Sequence, residues 1–162
     1  HNAQPWRFVL VRSAAARQKL AEAMGERFRA DLLADGLPAE ETERRVEASR
    51  ARLAGAPLLI VACLAPADLQ VYPDPARQRA EWTMGVQSVA AAIQNLLLCA
   101  AEMGLGAGWM CAPLFCPDVV RQSLNLPADW QPQALITVGW PWPDDAPVTP
   151  PRRPPADYCV DL

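Results

Sequence analysis

The sequence predicts a single domain that mixes strands with helices, and three observations lead there. The chain has 162 residues, 51% hydrophobic and 20% charged, enough for one sizeable core and too few for two comfortable ones. Short β-prone apolar runs alternate with helical patterns along it. One central stretch is long, apolar and free of helix breakers. On this alternation alone, a structural α/β domain with a doubly wound sheet stays open.

Taken in order, the run FVLV at 8–11 reads as a first buried strand. Ser13 is placed to cap the helix that follows, in which Leu20, Met24, Phe28 and Leu32 recur at every fourth residue and line one face that must be covered. Asp35-Gly36 breaks that pattern. Pro38 then opens a polar helix with Glu40, Glu41 and Glu43 early and Arg50 and Arg52 late, in keeping with the helix dipole, and Gly55 and Pro57 end it. LLIVACL at 58–64 is a second buried strand. The long helix spans 75–103 with Gly104 as its C-cap, and its alanines (Ala90, Ala91, Ala92, Ala100, Ala101) allow close approach by another helix, including one from a second subunit. Residues 107–112 form a weaker third strand, Pro117 starts a short helix ending near Asn125, and ALITV at 134–138 is the fourth strand. After Gly139, seven prolines make the tail extended.

Composition excludes several functions. A net charge of -3 and a pI near 5.1 leave no basic footprint for nucleic acid, and no apolar run is expected to approach bilayer length. The one histidine is His1 and the one lysine is Lys19, which removes most His-based triads, multi-His metal sites and Schiff-base chemistry. Five cysteines, an odd number with no secretory signal before them, fit a reduced cytoplasmic compartment. Cys111 and Cys116 are spaced too widely for a redox C-x-x-C pair and read as structural. The chain opens at His1 without a start methionine, which points to a missing N-terminal piece.

Four clusters are candidates for chemistry. Gly104, Gly106 and Gly108 stand between a helix and a strand, the reverse of a dinucleotide loop, and Trp109 occupies a required glycine position, so they read as a helix cap and a tight lead-in to a strand. Arg152 and Arg153, flanked by prolines, could hold a phosphate bidentately, although composition alone favours a solvated basic patch. Cys111, Ala112, Pro113 and Leu114 follow a strand end, where backbone N–H groups can address a polar ligand, as ordinary loops also can. Asn2, Gln4 and Arg7, around Pro5-Trp6, gather amide and guanidinium donors before a strand; the same residues make a good turn and a core tryptophan.

The stretch HNAQPWRF at 1–8 resembles the N-x-Q-P-W-x-F signature of the nitroreductase family. The apolar helix with Gln94-Asn95, then Gly104-Leu105-Gly106 and Trp109, and the late ALITVGWP strand with its Arg-Pro tail agree with it. Within that family the chain is similar to the C-terminal flavin domain of the deazaflavin-coenzyme:L-glutamate ligase, through RADLLADGLPAEETERRVEASRARLAGAP, VYPDPARQRAEWTM and CPDVVRQSLNLPADWQPQALITVGWP.

The resemblance implies an α+β fold, an α/β/α sandwich with a central mixed sheet and the long apolar helix at a homodimer interface, formed by one domain over residues 1–162. It implies FMN as cofactor, with no catalytic side chain and no metal, because the flavin carries the chemistry. NAD(P)H would reduce it, and a small acceptor (a nitro compound, a quinone or an unsaturated deazaflavin-coenzyme precursor) would reoxidise it in ping-pong fashion. A non-catalytic flavin or deazaflavin binding module is the alternative. Carried over, Cys111, Ala112, Pro113 and Leu114 lie against the isoalloxazine, Arg152 and Arg153 hold the phosphate, and Asn2 and Gln4 approach from the other subunit with Arg7 beside them. The family's Arg-rich R-R-S-x-R front segment would lie before His1.

Overall fold

The computed structural model describes residues 2–141 and 150–160; His1 and much of the proline-rich tail expected to be extended lie outside them. The elements run β1 (Trp6–Val11), α1 (Ala14–Ala34), α2 (Ala39–Gly55), β2 (Leu58–Leu64), α3 (Pro75–Glu102), β3 (Gly106–Met110), α4 (Pro117–Leu124) and β4 (Gln131–Gly139), with 3-10 turns at Pro66–Asp68, Ala112–Phe115 and Pro155–Asp157.

The local signals explain the boundaries. The Ser13 hydroxyl accepts from Ala16 N at 3.1 Å and starts α1. Asp74 accepts from Arg77 N at 2.9 Å, with Pro75 in the first helical turn, and starts α3. Gly104 ends α3 at φ +74, a left-handed conformation glycine adopts without strain, and Asn125 closes α4 at φ +52.

The four strands pair in the order β1-β2-β4-β3, and every pairing is antiparallel. This corrects the mixed sheet expected above: within the described residues no strand runs parallel to its neighbour. Side chains alternate across the two central strands, so each face has its own core. Leu59, Val61, Cys63 and Leu135 meet α1, α2 and α4 on one face, whereas Ile60, Ala62, Leu64, Ala134 and Ile136 meet Val89 and Ile93 of α3 on the other. The result is the expected α/β/α sandwich, with most of these side chains wholly buried and each Leu or Ile contributing about 2 kcal/mol by burial.

Burial separates the strands in a way periodicity did not. Strands β2 and β4 are central, but β1 and β3 are edges, and Gly108 and Trp109 face solvent. The first and third runs are therefore half-buried strands, and Cys111 and Ala112 fall outside β3, in the turn after it.

Helix α3 departs from expectation too. A window of 18 residues within it has a mean hydropathy of 1.4, long and apolar enough by length and composition to cross a membrane, which corrects the expectation that no run approaches that length. It is seated on the sheet through Val89 and Ile93, while Trp82, Met84 and Leu98 are exposed along the rest of it and Met103 just past its end.

Candidate functional site

The segment before β1 is held tightly. Ala65 N donates to Pro5 O at 2.7 Å, tying the loop to the end of β2. Gln4 sits at φ +49, a strained backbone for a residue with a side chain. Arg7 Nη1 donates to Gln4 O at 3.2 Å and to Trp6 O at 2.9 Å, and Nη2 donates to Asp68 Oδ2 at 2.5 Å. Arg7, the second residue of β1, thus braces the loop, and its donors are directed at the chain itself. Asn2 and Gln4 are exposed, and among the described residues neither carboxamide is engaged. They line a cavity of about 280 Å³ together with Met84, Ser88 and the buried Glu81 of α3, whose Oε1 accepts from Gln70 N at 3.1 Å.

The second cluster is the turn after β3. Leu114 N donates to Cys111 O at 3.0 Å and Cys116 N to Pro113 O at 3.3 Å, which winds Ala112–Phe115 into one 3-10 turn. Pro113 is buried and anchors it, leaving Cys111, Ala112, Leu114 and Phe115 exposed. On the inner side of this turn a cleft of about 480 Å³ opens toward Met24, Phe28 and Leu32 of α1. Arg27 Nε lies 3.1 Å from Asp31 Oδ1 and its Nη1 lies 3.8 Å from Asp118 Oδ1. Burial pushes the Cys116 thiol up, so it stays neutral as a packed side chain.

The third cluster is in the tail. Arg152 and Arg153 are exposed on an extended segment before the Pro155–Asp157 turn, and neither makes an ion pair among the described residues.

The sheet relates the first two clusters. Strand β1 starts, and β3 finishes, at the same end of the sheet, so both loops face one way. They nevertheless stand on opposite edges, three strand spacings or about 14 Å apart. They also open on opposite faces: the Asn2 and Gln4 cavity on the α3 side, the Cys111 and Ala112 cleft on the α1 side. One chain therefore does not bring the expected site residues together.

Sequence reasoning missed Asp68, Glu81 and the cleft. Asp68 has no local signal, since its role depends on meeting Arg7 from 61 residues away. The cleft had one: of the four-residue stripe, Leu20, Met24 and Leu32 are buried, but Phe28 is 36% exposed and lines the opening.

An α/β/α domain with an amide-bearing loop and a strand-end turn at one end of an antiparallel sheet is a frame for a flat, polar-edged cofactor. The family described as the nitroreductase family matches residues 1–140, and the chain belongs to it. Proteins of this family are flavin oxidoreductases that bind FMN. The chain is 33% identical over 147 residues to the 5,6-dimethylbenzimidazole synthase of Rhodospirillum rubrum, an overlap of 86% of this chain and 64% of that protein, and so spans less than two thirds of that relative. Among solved structures, a BluB-like flavoprotein from Clostridium difficile 630 superposes with a TM-score of 0.69 at 19% identity, over 98% of this chain and 80% of the other. Iodotyrosine deiodinase bound to FMN and 3-iodo-L-tyrosine gives 0.68 at 22% identity, over 99% and 79%. At such identities the likeness is one of fold.

The residues present fit FMN. Two carboxamides unengaged among the described residues suit the donor and acceptor edge of a flavin, and two guanidiniums without an ion pair among the described residues suit a phosphate.

Proposed function

We propose that the chain is an FMN-dependent oxidoreductase that takes electrons from NAD(P)H and delivers them to a small acceptor, working as a cytoplasmic homodimer. Bound FMN supplies the redox chemistry that the side chains lack. Asn2 and Gln4 read the flavin's polar edge, the backbone at Cys111, Ala112, Pro113 and Leu114 lies against its ring, and Arg152 and Arg153 hold its phosphate. The observation that carries the reading is the family match over residues 1–140, which takes in both loops.

The separation of those loops supports the dimer. Two loops on opposite edges and faces of one sheet serve a single flavin when each comes from a different copy. The exposed Trp82, Met84 and Leu98 of α3 give the copies an apolar surface to share. All five cysteines are free, which accords with a reducing compartment.

For the acceptor, the likeness to the ligase domain favours an unsaturated deazaflavin-coenzyme precursor over a nitro compound or quinone. The 33% identity to the dimethylbenzimidazole synthase favours a second reading, in which the chain forms 5,6-dimethylbenzimidazole.

The test begins with the visible spectrum of the purified protein and the mass of any released cofactor, followed by anaerobic NADPH or NADH. Flavin bands that bleach support the oxidoreductase. Bands that persist leave the non-catalytic binding module, and a colourless protein that refuses added FMN overturns the reading. Chromatographic detection of 5,6-dimethylbenzimidazole after incubation in air separates the synthase reading. Leu98→Glu should shift the sedimenting species from dimer to monomer and lose the flavin with it.

A further inference from the structure

We propose that the groove between the end of α2 and the far corner of the sheet is a second ligand site, separate from the loops assigned to the flavin, and that it takes a small aromatic carboxylate. The ring lies over a floor of glycines and the carboxylate meets Arg52.

The groove has a volume of about 550 Å³, room for a molecule of one or two rings. It opens where β3 begins and β4 ends. The other end of β3, which leads into the Cys111 turn, is about 14 Å away.

The floor is the α2-facing side of the β3–β4 pair. Thr137 is in register with Leu59, a core residue under α1, α2 and α4, and with Gly108 on its other side; Gly106 and Gly139 share that face two residues further on. Deeper in the same face Val61 and Leu135 are buried beneath the helices, whereas at this corner three of four β3–β4 positions lack a side chain. A Cβ on Gly139 would press on Pro57 at 3.0 Å, so packing explains that glycine. It does not explain Gly106. None of the three glycines has a left-handed φ, the β3–β4 register runs through them without a bulge, and a Cβ on Gly106 would meet nothing beyond its chain neighbours closer than 3.6 Å. A strand glycine with no such local cause marks a place where another group approaches the backbone closely.

The walls decide which group. Trp140, 77% exposed, lines the groove and offers an indole on which a planar ring can stack. Arg52 is the one ionisable residue among the described residues that line it. It stands in the last turn of α2, where a cation suits the helix dipole, yet its guanidinium makes no ion pair or side-chain hydrogen bond among the described residues. A guanidinium only donates, and its fork matches the two oxygens of a carboxylate.

The experiment titrates the purified protein by calorimetry, with and without saturating FMN, using indole-3-acetate, its neutral analogue indole-3-acetamide, and hexanoate, which keeps the charge and lacks the ring. Indole-3-acetate should bind about fivefold more tightly than the amide, the size of a solvent-exposed ion pair, and about tenfold more tightly than hexanoate, with no competition from FMN. Arg52→Gln should abolish the preference for acetate over acetamide. Trp140→Ala should weaken both indoles and leave hexanoate unchanged. Gly106→Ala should weaken both indoles while the melting temperature stays equal or rises slightly, since alanine is unstrained there. Equal binding of acetate and acetamide, a preference that survives Arg52→Gln, indole binding untouched by Trp140→Ala or Gly106→Ala, or displacement by FMN overturns the proposal. So does a lowered melting temperature in Gly106→Ala, which would show that the fold itself requires the glycine. A protein that takes up no FMN overturns the cofactor reading instead, and leaves the comparison of the three probes intact.

Discussion

Arg7 and Asp68, 61 positions apart in the chain, meet at 2.5 Å and fasten the loop before β1 to the turn that follows β2. The pair is about one third exposed on each side, so its direct contribution to stability is about 1 kcal/mol or less. Its larger effect is positional, since the same guanidinium also holds the carbonyls of Gln4 and Trp6.

Asp68→Asn should therefore leave thermal unfolding within about 4 °C of the parent. FMN affinity should fall about tenfold, because misplaced contacts lose binding without unfolding the chain. Fluorescence titration of FMN alongside a melting curve checks both; equal affinity with a lowered melting temperature would show the pair to be merely structural.

Arg152→Ala with Arg153→Ala should act in the same direction through charge. Exposed arginines contribute little to folding, so stability should change by about 0.5 kcal/mol or less. Two charge-assisted phosphate contacts correspond to a loss of about a hundredfold in FMN affinity. Riboflavin, which lacks the phosphate, should bind parent and variant equally.

Gly25→Ala should destabilise the α1–α2 pair. A Cβ there would overlap the Arg50 side chain, reaching Cγ at 2.9 Å, and Arg50 is held in place by its contact with Glu26. Overpacking of this kind costs about 1–3 kcal/mol. Combining it with Arg50→Ala should recover part of the loss, a non-additivity that denaturant melts can resolve.

Cys63 should be silent to thiol reagents until the protein unfolds. Burial pushes its pKa up to about 12 from the usual 9.0, so the folded state prefers the neutral thiol. A pKa raised on folding contributes stability that is fully present below pH 9 and lost as pH rises toward about 12. Stability should thus fall more steeply over that range in the parent than in Cys63→Ala. In the folded protein the exposed Cys159 should react with a thiol reagent while Cys63 and Cys116 stay protected.

Local order was well written in the sequence. Ser13, Pro75, Gly104 and Asn125 mark element ends because caps act within a few residues. The strand runs at 58–64 and 134–138 are buried on both faces, and their continuous apolar character says so. Edge and centre were not legible: FVLV resembles a buried strand, yet β1 has no neighbour beyond it among the described residues. Parallel or antiparallel pairing depends on how distant runs meet. The donor residues of the candidate site could be named from a motif. Their division between two edges and two faces could not, because it is a property of strand order, and Arg7 turned inward because Asp68 arrives from elsewhere in the chain.

The opposed placement of the two loops reaches past a single molecule. Under the two-copy arrangement proposed here, each chain helps build both flavin sites. A variant crippled at Asn2 and Gln4 and another crippled at Cys111–Leu114 would each fail alone. Mixed together, they would assemble one intact site and one doubly damaged site per pair, so two inactive proteins would restore activity to each other.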